Sequence, residues 1–258
     1  MKTLSIKPHS PHIELPVLNR VSAGSSLVWL RKGWDDLVAN WVLSLGIGAI
    51  FAALGAILVN YAWDRPHLVM ALGVGFLYVA PFLAIGFYDL SRRRESSGTI
   101  KPFEGVRGNA ASIGLFAAFL AFALSVWERL SAILVALFFG SDLPVAESFG
   151  LGLLFSAEHI GFVVPYLIAA GIYAAVIFAL SVVTLPMLMD RHVDIVTAMM
   201  TSLWAVKENP LPMLVWALTI GVLTLLGEAL WFVGIALAFP LLGHATWHLY
   251  RRMVPPEA

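Results

Sequence analysis

The chain has 258 residues, 60% hydrophobic and 12% charged, a charged share about half that of a soluble domain. So few polar side chains cannot cover a soluble surface, and lipid is the expected solvent for much of the outside. The formal net charge of zero gives no electrostatic case for nucleic acid, and the absence of cysteine excludes disulfides, thiolate catalysis and cysteine metal sites.

Residues 1–24 hold Pro8, Pro11 and Pro16 among scattered polar residues and read as a flexible cytoplasmic tail. The first forty residues lack the apolar core of a secretory signal, so the N-terminus is expected to be retained and not translocated. From Ser25, Leu27, Leu30, Trp34, Leu37, Val38 and Trp41 recur at helical spacing. Arg31, Lys32, Asp35 and Asp36 fall on the other face as two pairs four residues apart. That pattern predicts an amphipathic helix, either lying in the membrane interface or packed under the protein's own loops. A first span is expected over 41–63 and a second over 68–90, with Asp64, Arg65 and Pro66 as the turn. Gly48, Ala52, Gly55 and Ala56 give the first span a small-residue face that lets another helix approach closely.

Arg92, Arg93 and Arg94 end the second span, and a polar loop runs to about Asn109. A third span starts near Ala111, in an apolar run that reaches Gly140 but is interrupted by Trp127, Glu128 and Arg129. One long tilted helix would hold both charges in the membrane. A span ending at Trp127, with residues 131–155 along the outer surface, avoids that cost and is the preferred reading. The fourth span, 160–189, contains Pro165 and Pro186, and Asp190 is read as the cap of a second amphipathic segment over 193–208. After Asn209-Pro210-Leu211-Pro212, about forty apolar residues run to Arg251 and Arg252, enough for a tight hairpin turning at Gly227-Glu228.

Charge selects the count. With six spans the inside segments carry Lys2, Lys7, Arg20, Arg31, Lys32, Arg92, Arg93, Arg94, Lys101, Arg107, Arg191, Lys207, Arg251 and Arg252. The outside keeps Arg65 and boundary Arg129, with the acids Asp64, Asp142, Glu147, Glu158 and Glu228. The positive-inside rule thus gives an all-α membrane bundle over 25–252, with six transmembrane helices, two amphipathic interfacial helices, cytoplasmic termini and a short tail at 253–258. A weak echo links Val79-Ala80-Pro81-Phe82-Leu83 before Arg92-Arg93 with Ala238-Phe239-Pro240-Leu241-Leu242 before Arg251-Arg252. It reads as two similar helix hairpins, by duplication or by shared constraint.

Two places could hold chemistry. His244 and His248 are four residues apart on one helix face and could jointly meet a metal or a haem edge; otherwise they are interfacial histidines bonded to backbone or headgroups. Glu128 and Arg129 point about 100° apart on a helix, so each needs a partner elsewhere. Inside the bilayer they would suit an ion pathway, and at its boundary they are ordinary. Asp89 and Arg93 form an expected i,i+4 ion pair. No phosphate loop, zincin, dinucleotide or nucleophile-elbow motif occurs, so enzyme activity and a catalytic residue find no support.

Gly33-Trp34-Asp35-Asp36-Leu37, Val79-Ala80-Pro81, the stretch from Ser181 to Arg191 and the closing Pro240-Leu241-Leu242-Gly243-His244-Ala245-Thr246-Trp247-His248 resemble a bacterial membrane-protein family catalogued as a domain of unknown function. The resemblance runs from about Ser25 to Arg252 and implies a multi-span inner-membrane protein, with no activity to carry over. The expected role is an accessory or assembly factor, with the lipid bilayer and other membrane proteins as partners. A small-solute or ion transporter or channel is the alternative, and a haem- or metal-linked protein using His244 and His248 is a further one.

Overall fold

The computed structural model describes residues 15–62, 80–81, 83–140, 159–230 and 233–256. Ten helices are named here: α1 Ser25–Ala39, α2 Trp41–Ala62, α3 Ile85–Glu95, α4 Glu104–Gly108, α5 Ala110–Phe139, α6 Ile160–Ser181, α7 Thr184–Asp190, α8 Ile195–Glu208, α9 Pro210–Ala229 and α10 Val233–Met253. No strand occurs among the described residues. Among the described residues four stretches are long and apolar enough to cross a membrane: Trp41–Leu58, Ala110–Phe139, Ile160–Asp190 and Pro210–Ala229. The chain is a polytopic bundle of membrane helices. Most of the predicted tail, the turn at 64–66, residues 68–79 of the second span, the first echo's Val79 and Phe82, and the acids Asp142, Glu147 and Glu158 lie outside the described residues.

Helix α10 is the hub. It carries too many polar groups to rank among the four apolar spans, yet it packs against α1, α2, α3 and α9 and is buried along most of its second half. The small face predicted on α2 does what packing requires: a side-chain carbon at Gly48 would run into the Ala236 backbone of α10. Rings close the remaining space. Phe51 of α2 stacks on Phe239 of α10 at 3.9 Å, and Trp29 of α1 meets Trp216 of α9 edge-on at 5.7 Å. Helices α5 and α6 pair beside this hub, and α8 packs on α6 and α7.

Four local expectations change. Helix α5 is continuous for 30 residues, so the third apolar run does not break at Trp127 but carries Glu128 and Arg129 within one helix about 45 Å long. Its uninterrupted ring packing on α6, through Trp127, Tyr166 and Tyr173, explains why the charges fail to end it. The fourth run bends after Ser181, because Pro186 has no N–H for the Val182 carbonyl and its ring crowds that oxygen. The Val183 N–H exposed by the bend donates to Ser202 Oγ at 3.1 Å. Asp190 ends α7 and does not cap α8; extended backbone separates them, and Asp194 is the cap, accepting from the N–H groups of Val196 and Thr197. The last hairpin turns after Ala229 rather than at Gly227-Glu228, since Gly227 and Gly234 sit face to face across it with no room for a side chain.

One end of the bundle gathers the charge. Arg20 pairs with Glu208 at the end of α8, Asn19 N–H donates to Met253 O at the end of α10, and Asn109 before α5 donates to the carbonyls of Leu188, Arg191 and Val193. With Arg92 of α3 against Asp190 of α7 and Val21 N–H donating to Asn209 before α9, the ends of α3, α7, α8 and α10 and the starts of α5 and α9 share one layer.

Candidate functional site

Within that layer, polar side chains from α3 and α10 meet on one carboxylate of α1. Asp36 sits on the inner stripe of α1 with Trp29, Gly33 and Leu37 and is buried, not paired with Lys32 on an outer charged face as the spacing suggested. The packing of α1 onto α10 turns that stripe inward. Asp36 Oδ2 accepts from Ser91 Oγ of α3 at 2.5 Å and from His248 Nε2 of α10 at 2.8 Å, while Oδ1 accepts from Arg94 Nη1 at 2.6 Å. Burial pushes the Asp36 carboxyl up, but the hydrogen bonds from His248, Ser91 and Arg94 outweigh it and hold the group below its usual value.

The donor arithmetic orders the rest. A carboxylate only accepts, so Ser91 spends its one proton on Asp36. Ser91 then accepts from His244 Nδ1 at 2.8 Å, which places the imidazole proton on Nδ1. His244 Nε2 is left as an acceptor, and Ser44 of α2 donates to it at 2.9 Å. A single directed line results: Ser44 to His244 to Ser91 to Asp36. Serine donating to a histidine base is also the order of an activated nucleophile. Here Ser44 and His244 are both 0% exposed, so the line ends inside the protein where no substrate can reach it.

A second knot lies beside the first. Asp190 Oδ2 accepts from Tyr250 OH at 2.7 Å and Arg251 Nη1 at 3.0 Å, and Oδ1 lies 3.6 Å from Arg92 Nε. Arg251 Nε and Trp247 Nε1 both donate to Glu95, at 3.2 and 3.1 Å. The expected Asp89–Arg93 pair forms at 3.0 Å, and Asp89 also accepts from Phe103 N–H at 2.9 Å. Three consecutive arginines thus reach three carboxylates: Arg92 to Asp190, Arg93 to Asp89, Arg94 to Asp36.

His244 and His248 share a network, as their spacing suggested, but through Ser91 and Asp36 rather than toward a common point. Among the described residues no group of three or more His, Asp or Glu side chains is gathered as a metal site. Glu128 is half-buried and Arg129 exposed on α5, apart from both knots. Sequence reasoning missed Asp36, Ser44, Ser91 and Arg94 as members. One signal was available: Asp36 stands three residues after Gly33 and seven after Trp29, in register with the stripe that Leu37 continues.

These features define an integral membrane protein with a hydrogen-bonded polar layer at one end. The family model described as "Predicted integral membrane protein (DUF2189)" matches residues 68–190, a little under half of the chain. The match is shorter than the resemblance read from Ser25 to Arg252, and it leaves Asp36, Ser44, His244 and His248 outside it. No curated protein and no solved structure matches the chain.

Proposed function

We propose that the protein is a non-catalytic accessory or assembly factor that contacts other membrane proteins. The observation that carries this reading is the outer face of α5. Leu115, Phe122, Ile133 and Leu137 are exposed there at helical spacing, and Arg129 stands among them. At the helical rise of about 1.5 Å per residue, Arg129 lies roughly 28 Å along the helix from Ala110. That is near the far edge of a hydrocarbon core about 30 Å thick, where a guanidinium on a lipid-facing stripe costs less than the roughly 2.5–3.5 kcal/mol of a span's centre but is still disfavoured among apolar neighbours. A carboxylate on a neighbouring protein's helix relieves that cost and selects the partner. Purification in mild detergent is expected to retain a companion protein, to lose it with Arg129→Glu and to keep it with Arg129→Lys. A wild-type chain that always emerges as a bare monomer would end this reading.

We place the protein in the bacterial inner membrane, crossing it six times with both termini cytoplasmic. The support is the clustering of Arg20, Arg92, Arg93, Arg94, Arg191 and Arg251 in one layer.

A transporter or channel with Glu128 and Arg129 in its pathway is the second reading, favoured only by the half-buried position of Glu128. It requires that Glu128→Gln abolish flux in vesicles. Haem or metal on His244 and His248 is the weakest reading: both ring nitrogens of His244 are held by serines and His248 Nε2 by Asp36, and a metal would have to displace those bonds. Absorption spectra and metal analysis of the purified chain decide it.

A further inference from the structure

We propose that the cleft between α4 and the α7–α8 connection binds a phosphate group. The cleft has a volume of about 350 Å³ and lies where α5 begins and the stretch Ile160–Asp190 ends, the level at which apolar spans give way to headgroups. Three guanidinium side chains line it from three elements: Arg92 from α3, Arg107 from α4 and Arg191 after α7. His192 lines it as well, its Nδ1 donating to the Gly108 carbonyl at 3.2 Å.

Arg92 supplies the strongest argument. Its Nε and Nη1 are buried and have no hydrogen-bond partner, and its contact with Asp190 is an ion pair at 3.6 Å. Tyr250 and Arg251 hold the other oxygen of Asp190 and so fix the carboxylate at that distance. Buried N–H groups left unpaired are expensive, and a planar guanidinium fork matches two oxygens of a phosphate. Arg107 adds an exposed guanidinium whose side chain makes no hydrogen bond or ion pair among the described residues.

Two carboxylates also line the cleft, and each is already engaged. Asp190 is shared as above, and Glu104 accepts from the Lys101 backbone N–H at 3.0 Å. The shape is fixed by Gly105, whose missing side chain lets α4 press directly onto the Met189 carbonyl. Phosphate in this position comes either from a phospholipid headgroup or from a soluble phosphate; the recognising chemistry is the same.

The test is thermal unfolding of the purified full chain in phosphate-free maltoside micelles. Phosphatidylglycerol, inorganic phosphate, or diacylglycerol (which has no phosphate) is added in turn. Stabilisation by phosphatidylglycerol alone assigns a lipid headgroup, and stabilisation by inorganic phosphate as well assigns a soluble ligand. In either case Arg107→Ala, an exposed change that leaves the unliganded midpoint in place, weakens the apparent affinity roughly tenfold. Arg92→Gln weakens it further. Equal responses of wild type and Arg107→Ala, or no response to either phosphate compound beyond that to diacylglycerol, overturn the proposal.

Discussion

The hub around α10 and the α5–α6 pair are built from the same kinds of apolar residue but held by different forces. In the hub, α3 and α10 place charged and hydroxyl groups on two carboxylates, Asp36 of α1 and Asp190 of α7, inside packing that leaves Trp247 and Tyr250 with no exposed surface. The α5–α6 pair is joined along one face by Trp127, Phe162, Tyr166 and Tyr173, with hydrogen bonds between Ser131 Oγ and Tyr166 OH at 2.8 Å and from Tyr173 OH to the Ala123 carbonyl at 2.7 Å. Lipid is as apolar as leucine, so burying apolar surface does little to hold helices together there. Polar groups that would otherwise be stranded near the membrane do more. The hub is therefore the expected rigid part, and the pair is the part with faces left for others.

The contrast breaks most easily at Asp36. Removing one partner of a buried charge network costs about 3–5 kcal/mol, since the others are left unpaired. Asp36→Ala strands Arg94, Ser91 and His248 together, so it is expected to produce the largest loss, read as a lower unfolding midpoint in detergent. Glu128→Gln on α5 should change the stability by roughly 0.5 kcal/mol or less and leave the midpoint nearly in place. If the two variants were equally harmful, the hub would hold no privileged place.

How much of this was legible follows from the physics of each signal. Apolar runs and arginine placement report partition between lipid and water, so the bundle, the span over 41–63 and the shared charged end could be read directly. Helix ends needed tertiary information. Asp190 looked like a cap by position, yet Asp194 takes that role because the chain stays extended after Arg191. Trp127-Glu128-Arg129 looked like a boundary, yet ring packing on α6 carries the helix through it. The site was half legible: the i,i+4 spacing put His244 and His248 together, but spacing along one helix cannot name a carboxylate on α1 or serines on α2 and α3.

Acid sharpens the comparison more gently. The folded Asp36 carboxyl lies below its unfolded value near about 3.9, so its stabilisation is complete above that value and is lost as pH falls through the folded one. The midpoint of the wild type should therefore fall more steeply below about pH 4 than that of Asp36→Asn. Asp194, held low by its bonds from Thr197 and Val196, gives a similar slope in both proteins and cancels in the difference. Parallel pH profiles would show that Asp36 contributes little to the hub.

The smallest effect is expected in the pair itself. Ser131 is fully buried and bonds to Tyr166 across the pair, so Ser131→Ala removes one interhelical hydrogen bond and little volume. Such bonds between membrane helices average about 0.6 kcal/mol, because the separated helices find other partners. The variant should therefore unfold within a degree or two of wild type while Asp36→Ala does not, even though both residues are equally hidden from solvent. A large loss from Ser131→Ala would mean that α5 and α6 depend on this bond as the hub depends on Asp36. The outer face of α5 would then be a surface on a rigid unit rather than on the loosely held half of the molecule, and a partner would have less to gain by clamping it.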